Sequence, residues 1–354
     1  MELSLKCYNI TILERMSYKL LSSTLFAAAA LTASTSAFAT HYPFTIDNCG
    51  QKNTYEHAPE RVVTIGQHET ELMLALGLKD KIVGTSVWFG PLPKAYSQDA
   101  TSLKRLSDNS PSFEAVLGQK PDLVEAQYTY HVGKQGEVAT RGQFEDLGVH
   151  TWISPSDCVG KGLTDSSNSD GARSVPFSVD LLYREITDLA KIFNVEAQGK
   201  ALNAQLAQRI EKAQKAANSS ALKAKDTKVV FWFSSSRLKG DAWVAGNSGA
   251  PEWIADALGL DNVVDSNQEW PAVSWETIAA DNPDYIVLAK MDRRLYPADD
   301  IKKKIAFLKN DPVTKQMTAI KQNHIIVVPA MSLNPSLRNV DAVEQIGQKI
   351  GQMK

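Results

Sequence analysis

The sequence predicts an α/β protein with two similar lobes, each containing a parallel-rich sheet, joined by a single long α-helix. Short apolar strands alternate with helices in each half of the chain, which indicates βαβ units and parallel sheets. One order of helix, glycine and strand occurs in both halves. A long helical segment without proline separates the two copies. Together these observations favour two related lobes over one continuous sheet.

Composition places the chain among ordinary folded proteins. It has 354 residues, 38 basic and 40 acidic side chains, a formal net charge of -2 and 43% hydrophobic residues. The near balance of charge argues against binding to nucleic acid or anionic lipid by bulk charge. The mean hydropathy is -0.24, and no apolar run reaches the roughly 18 residues of a membrane span. We therefore expect a two-domain protein that acts in water.

The first 39 residues predict a signal peptide. An apolar segment at residues 20–31 is followed by small residues that end in Ala37-Phe38-Ala39, the A-x-A pattern of signal peptidase sites. Residues 1–15 look like an upstream extension, because Met16 would begin a signal peptide of normal shape. The apolar segment is too short to span a bilayer. We expect cleavage after Ala39, export, and no stable membrane insertion.

The cysteine count agrees with export. Of three cysteines, Cys7 belongs to the leader, which leaves Cys49 and Cys158 as an even pair in an oxidising compartment. We predict that they form a disulfide closing a loop of about 110 residues, which stabilises the fold by up to about 4–5 kcal/mol in the chain-entropy model. Two buried free thiols are the alternative. Neither cysteine has a neighbouring histidine at zinc-ligand spacing.

Two segments of the first half recur in the second. Residues 71–84 predict a helix that ends at a glycine and leads into a short strand, and residues 253–264 repeat that pattern. Farther along, residues 112–124 predict a helix, a Pro-Asp pair and a buried strand, matched by residues 274–287. In both copies a glutamate stands seven residues before the proline. Two copies in one order indicate two similar lobes.

The limits of the lobes follow from their opening strands. Residues 61–66 predict the first strand of one sheet, and residues 228–233 its counterpart in the other. Between them, alanines recur at helical spacing through a segment of roughly 30 Å at about 1.5 Å per residue. We predict an N-terminal lobe at 40–195, a linking helix at 196–217 and a C-terminal lobe at 218–354.

Candidate ligand contacts lie where predicted strands end. Ligands of open parallel sheets bind at the carboxyl ends of the strands, and there aromatic side chains dominate on one side and cations on the other. Stacking rings and arginine forks suit a large, partly flat, anionic organic ligand. The predicted ligand-binding residues are Trp88, Tyr128, Tyr130, His131, Trp243, Arg293, Arg294, Tyr296 and Arg338.

Motifs for catalysis or for a resident metal are not found. The sequence has no Gly-x-Ser-x-Gly elbow, and no phosphate-binding glycine loop follows a strand. The segment 68–72 lacks the second histidine of a metalloprotease helix. The six histidines include no i, i+4 pair, so neither His68 nor His131 is expected to hold a resident metal. We predict a protein that is not an enzyme and has no cofactor of its own.

Several motifs resemble one protein family. They are Arg61-Val62-Val63 before the helix at 70–78, Lys81-Ile82-Val83-Gly84, the strand after Lys120-Pro121-Asp122, and the repeat from Trp275-Glu276 to Pro283-Asp284. From about residue 42 to 354 the chain resembles the periplasmic binding proteins of iron-siderophore, haem and vitamin B12 ABC importers. The resemblance implies a periplasmic monomer with two Rossmann-like lobes, one linking helix and a ligand in the cleft.

The resemblance also implies partners. It implies that Glu114 and Glu276, one on each lobe, dock onto arginines of an inner-membrane ABC permease, a two-point charge contact. The expected ligand is a ferric chelate of siderophore type, stacked by the aromatic residues and neutralised by the arginines. Haem with His131 or a tyrosine as axial ligand, and a corrinoid, remain alternatives within the family. Outside it, a receptor for a bare divalent metal and a secreted enzyme remain open.

Overall fold

Two β-sheets organise the part of the chain that the structure describes. The computed structural model describes residues 39–162, 171–219, 227–293 and 295–353. The predicted signal peptide up to Phe38 lies outside these residues, and so does Arg294. None of the helices within the described ranges is long and apolar enough to cross a membrane.

The first half of the chain carries nine strands and six α-helices among its described residues. In chain order they are β1 (Phe44–Asn48), β2 (Gln51–Tyr55), β3 (Val62–Ile65), α1 (Gln67–Ala75), β4 (Ile82–Ser86), β5 (Arg105–Ser107), α2 (Phe113–Leu117), β6 (Leu123–Ala126), α3 (Thr129–Val132), α4 (Arg141–Glu145), β7 (His150–Ile153), α5 (Pro155–Cys158), β8 (Lys161–Gly162), β9 (Ala172–Arg173) and α6 (Val179–Ile192).

The second half begins with the longest helix of the described chain. In chain order its elements are α7 (Glu196–Ser219), β10 (Lys228–Ser234), β11 (Ala242–Val244), α8 (Ala250–Leu258), β12 (Asp261–Asn262), β13 (Ala272–Val273), α9 (Trp275–Asp281), β14 (Tyr285–Lys290), α10 (Ile301–Asn310), α11 (Thr318–Lys321), β15 (Ile325–Pro329) and α12 (Arg338–Gln352). Helix α7 is the predicted linking helix and ends two residues later than expected. The limits of the two lobes stay a prediction.

The sheets have the predicted parallel-rich topology. The first sheet has the order β5-β4-β3-β6-β7, and all its pairings are parallel. In the second sheet, β10, β14 and β15 are parallel, β12 lies parallel beside β10, and β11 and β13 form an antiparallel edge. The central strands β3 and β6 are buried along their whole length, as expected for strands covered on both faces. The predicted fold class is confirmed.

The repeated Pro-Asp pair has the same structural role in both sheets. The Asp122 carboxylate accepts hydrogen bonds from the backbone N–H groups of Glu60 (2.7 Å) and Arg61 (2.9 Å), just before β3. The Asp284 carboxylate accepts one from the Lys228 N–H (2.9 Å) at the start of β10. Each aspartate thus aligns its own strand with the opening strand of its sheet. This shared contact explains why the motif occurs twice.

The predicted disulfide between Cys49 and Cys158 is present, with 109 residues of sequence separation. Cys49 lies in the turn between β1 and β2, and Cys158 ends α5. The same hairpin is also attached by Asn48, whose side chain hydrogen-bonds both the carbonyl (2.8 Å) and the N–H (2.8 Å) of Ile153. The N-terminal hairpin is therefore fixed to the end of β7, close to the carboxyl edge of the first sheet.

Candidate ligand-binding cleft

A cavity of about 700 Å³ lies at the carboxyl ends of the parallel strands of both sheets. Its walls come from both halves of the chain, because the segments that follow β4, β6 and β7 meet those that follow β10 and β14. This is the position at which open parallel sheets bind ligands. The volume is typical of a site for a drug-sized organic molecule.

Several aromatic side chains line the cavity. The Phe233 ring lies 4.7 Å from Trp270 and 6.2 Å from Phe89, measured between ring centroids. The Trp243 ring meets Tyr296 edge to face at 4.9 Å. Tyr130 and Tyr296 are 39% and 41% exposed, so their rings remain available for contact at the mouth of the cavity. Large apolar rings with polar edges suit a bulky organic ligand.

His131 lines the cavity as a neutral imidazole. The side chain is 5% exposed, and its Nδ1 atom is buried without a hydrogen-bond partner among the described residues. Burial is the main cause that lowers the pKa of His131 to about 4. The positive charge of Arg293 lowers this pKa further, whereas the carboxylates of Asp157 and Glu137 raise it. The ring therefore presents an uncharged nitrogen, a good ligand for a metal centre.

We expect His131 to make the fold sensitive to acid. Its pKa is about 4 in the folded state and about 6.5 in an unfolded chain, so the unfolded chain binds the extra proton between these values. The contribution of His131 to the free energy of unfolding is therefore fully present above pH 6.5. It falls by about 3 kcal/mol as the pH drops to 4. Urea unfolding at pH 7 and pH 4 measures the loss.

The variant His131→Asn should lose about 3 kcal/mol less than the unmodified protein over that range, since it has no group to protonate there. His57 is exposed, so His57→Asn serves as the control and should keep the full loss. Equal losses in all three proteins would contradict the assignment.

The charged groups around the cavity are mostly paired with one another. Lys161 lies 2.5 Å from an Asp157 oxygen and 3.6 Å from a Glu269 oxygen. Glu269 also accepts from the buried Arg173 Nε (2.6 Å). On the opposite wall, Asp299 accepts from the Ser234 hydroxyl (2.5 Å) and from the N–H of Tyr296 (2.9 Å). The described wall thus combines cations and carboxylates, whereas the sequence predicted a cationic side.

Of the two predicted arginines that the structure describes, Arg293 lines the cavity. Its guanidinium carbon lies 4.3 Å from the centroid of the Phe89 ring, a cation–π contact between segments of the two halves. Burial lowers the pKa of Arg293. Its Nε atom is buried without a hydrogen-bond partner among the residues described, so this group has capacity for a ligand oxygen.

Comparison with known proteins identifies the family. The chain matches the family described as "Periplasmic binding protein" over residues 62–331. The chain belongs to this family. Members of it bind and carry solutes, so this binding protein is not an enzyme, as the sequence predicted.

Solved structures support the same fold. The chain is 25% identical to a periplasmic binding protein from Veillonella parvula, with a TM-score of 0.71 over 88% of this chain and 98% of that one. An ABC-type Fe3+-hydroxamate transport system protein from Saccharomonospora viridis is 24% identical, with a TM-score of 0.69 over 88% and 100%. A periplasmic heme binding protein from Pseudomonas aeruginosa is 19% identical, with a TM-score of 0.63 over 83% and 93%. The last two similarities show the fold alone.

A curated relative matches a shorter stretch. An uncharacterized ABC transporter substrate-binding lipoprotein, YvrC of Bacillus subtilis, is 31% identical over 84 residues. The alignment covers 23% of this chain and 25% of the relative.

Trp88 was predicted to contact the ligand, but the structure places its side chain outside the cavity of this binding protein. Its side chain is 4% exposed and packs with Leu74 and Leu92, while its Nε1 donates to the Thr85 hydroxyl (3.1 Å). The chain leaves β4 at Val87, which has a positive φ of 60°, and beyond this point Val87 and Phe89 line the cavity whereas Trp88 does not.

Arg338 was also predicted to contact the ligand, but it does not line the 700 Å³ cavity. The guanidinium is 6% exposed and forms a double hydrogen bond with the Glu71 carboxylate, with Nε at 2.8 Å. Its Nη2 also donates to the Pro91 carbonyl (2.8 Å). It borders a separate cavity of about 100 Å³. Arg338 joins α1 to α12 and is not free to neutralise a ligand in the cleft.

The remaining predicted contacts come together in the cavity. Tyr128, Tyr130, His131, Trp243, Arg293 and Tyr296 all line it, while Arg294 lies outside the described residues. Their contact with a ligand stays a prediction. Sequence reasoning missed Trp270 and the charged group of Lys161, Asp157 and Glu269. Trp270 and Glu269 precede a two-residue edge strand, and this short strand gives no periodic signal.

The predicted docking glutamates occupy equivalent positions. Glu114 and Glu276 are exposed and lie in the first turns of α2 and α9. Both helices are capped by a serine, because Ser112 accepts from Ala115 N–H (3.2 Å) and Ser274 from Thr277 N–H (3.1 Å). The structure therefore presents the two carboxylates on matching elements of the two sheets.

Proposed function

We propose that this binding protein captures an organic iron chelate in the cleft and delivers it to the permease of an ABC importer. The observation that carries this proposal is the 700 Å³ cavity, walled by aromatic side chains at the carboxyl ends of both sheets. Such a wall suits a ligand that is too large and too apolar on its surface for a bare-ion site. The similar protein from Saccharomonospora viridis, which belongs to an Fe3+-hydroxamate transport system, agrees with this class of cargo.

The pairing of charges narrows the chelate class. Lys161 and Arg173 are engaged by Asp157 and Glu269, so among the described cations Arg293 is the one with capacity for a ligand oxygen. Burying an unpaired anion would be costly. We therefore favour a chelate with little net charge, such as a ferric tris-hydroxamate, in which three singly charged hydroxamates neutralise Fe3+. This replaces the anionic ligand that the sequence favoured.

A second candidate ligand is haem, which one observation favours. His131 is neutral and lines the cavity. Its Nδ1 atom has no hydrogen-bond partner among the described residues. An imidazole nitrogen is a common axial ligand of haem iron. The similar protein from Pseudomonas aeruginosa is a heme binding protein.

Delivery requires a location and a docking surface. We propose a monomer that is exported to the periplasm by the leader at 1–39. Glu114 and Glu276 are exposed on matching helices, which supports their contact with basic residues of a two-subunit permease. Charges at the rim of an interface mainly set the association rate and its salt dependence.

The test is a tryptophan-fluorescence titration of residues 40–354. The ligands are ferric hydroxamate, catecholate and citrate chelates, haem, a corrinoid and zinc chloride. Trp243 and Trp270 line the cavity, so saturable quenching by a ferric hydroxamate at about micromolar concentrations or below is expected. Quenching by haem with a shifted Soret band, lost in His131→Ala, would support the second candidate. Saturable binding of zinc alone, with silence for every chelate, would refute both.

We expect Trp243→Ala to weaken chelate binding about 10- to 100-fold, since burying a large side chain against a ligand contributes about 1.5–3 kcal/mol. The measurement is the Kd from the same titration, followed at the remaining tryptophans. Trp253 packs with Phe177 away from the cavity, so Trp253→Phe is the control and should keep the Kd. Equal effects of both variants would argue against binding at this wall.

A further inference from the structure

A second group of titratable side chains lies in the interior of the first half of the chain, apart from the cleft. It contains His68 and Glu69 of α1, Glu125 of β6 and Glu185 of α6. The four side chains are 1%, 0%, 0% and 0% exposed. None of them lines the 700 Å³ cavity. Four ionisable groups without access to water need a partner that compensates their charge.

The geometry of three of these residues is that of a ligand set. One ligand atom each of His68, Glu69 and Glu185 lies within 4.8 Å of the other two. The His68 Nε2 atom is 3.0 Å from a Glu185 oxygen. The same Glu185 oxygen accepts from the Ser154 hydroxyl (3.0 Å), a contact that holds the carboxylate toward the histidine.

An independent observation points to a missing ligand. Both carboxyl oxygens of Glu125 are buried and have no hydrogen-bond partner among the described residues. Glu125 is close enough to interact electrostatically with Glu69 and Glu185, although its oxygens are not among the ligand atoms that lie within 4.8 Å of one another. Buried polar atoms are almost always satisfied, and an unsatisfied set is a sign of a bound water or ion.

We propose that His68, Glu69 and Glu185 bind one divalent cation, with the buried carboxyl of Glu125 close by. One imidazole nitrogen and carboxylate oxygens are donors that suit Zn2+ best and Mn2+ next. The three protein ligands are buried, and a water molecule would complete the four positions that zinc prefers. The ion would join α1 to α6, and it is separate from the iron of the proposed cargo.

Binding of the ion through Nε2 requires the other tautomer of the His68 ring. Its Nδ1 takes a long contact of 3.4 Å from the Leu337 N–H, so the ring proton of the metal-free form is on Nε2 and faces Glu185. The cation takes the place of that proton, the ring proton moves to Nδ1, and the Leu337 contact is given up. Because Leu337 immediately precedes α12, the site is linked to the helix of the second half whose Arg338 contacts α1.

The experiment measures metal content and thermal stability of residues 40–354. The protein is treated with EDTA, dialysed, incubated with zinc chloride or manganese chloride separately, and dialysed again. Metal analysis should give about one zinc per chain, and the Tm should rise by several degrees with zinc, because an ion that binds only the folded state stabilises it. Retention of neither metal by the unmodified protein would overturn the proposal.

Variants then locate the ion. Glu69→Gln keeps the size of the side chain and should lower zinc affinity at least 10-fold, and His68→Asn serves if that variant does not fold. Glu56 is exposed, so Glu56→Gln is the control and should retain one zinc per chain. Zinc that survives both variants, or that is lost in His131→Ala, would place the ion elsewhere and refute the site. If metal-free Glu69→Gln had a higher Tm than the metal-free unmodified protein and both bound the same amount of zinc, the Glu69 carboxyl would hold a proton and not a metal ion. This result would also refute the site.

Discussion

Replacing Arg338 by alanine is expected to lower the free energy of unfolding by about 3–5 kcal/mol, the usual result of breaking a buried ion pair from one side. Glu71 is 1% exposed, and burial raises the pKa of Glu71 even though Arg338 lowers it. Without the guanidinium, the carboxyl must stay charged and unpaired or take up a proton on folding. The shift of the denaturation midpoint in urea measures the loss.

A surface ion pair provides the control for this variant. Lys215 pairs with Glu211 on α7, and their side chains are 74% and 63% exposed. The variant Lys215→Ala should leave the midpoint almost unchanged, since exposed pairs contribute little. If Arg338→Ala had an equally small effect, the contact between α1 and α12 would not be important for the stability of the protein.

Removing the disulfide with Cys49→Ser and Cys158→Ser is expected to destabilise the protein by up to about 4–5 kcal/mol. The bond closes a loop with 109 residues of sequence separation, and its loss frees the unfolded chain to adopt many more conformations. Chemical denaturation without reductant measures the difference.

The matched comparison is the unmodified protein treated with a reductant, which should unfold at nearly the midpoint of the double variant. Cys158 also lines the cavity, so ligand affinity should be followed in the same samples. A double variant as stable as the oxidised protein would contradict the entropic account.

Much of the fold was predictable because its signals are local or repeated. The strands of the sheets are short apolar runs, and the repeated Pro-Asp pair aligns strands through Asp122 and Asp284. Such a motif has the same chemistry wherever it occurs. The linking helix follows from alanine spacing over α7. The disulfide followed from an even pair of cysteines behind a leader.

The side-chain arrangement of the site was less predictable. Whether Trp88 or Phe89 faces the cavity depends on the direction of the chain after β4, where Val87 adopts a positive φ of 60°, and a sequence pattern does not reveal this. Arg338 was predicted to contact the ligand because the sequence does not reveal its pairing with Glu71, which is 267 residues away. The grouping of His68 with Glu185 likewise depends on tertiary packing, since 117 residues separate them.

The paired charges around the cleft also have a kinetic consequence. Lys161 and Arg173 are engaged by neighbouring carboxylates and Arg293 interacts with the carboxylate of Asp299, so the described charges around the cleft exert little long-range attraction on a charged solute. Solutes then arrive by undirected diffusion, with rate constants on the order of 10⁵–10⁷ M⁻¹s⁻¹ and little dependence on ionic strength. Residence time, set by the aromatic walls, becomes the quantity that distinguishes one solute from another.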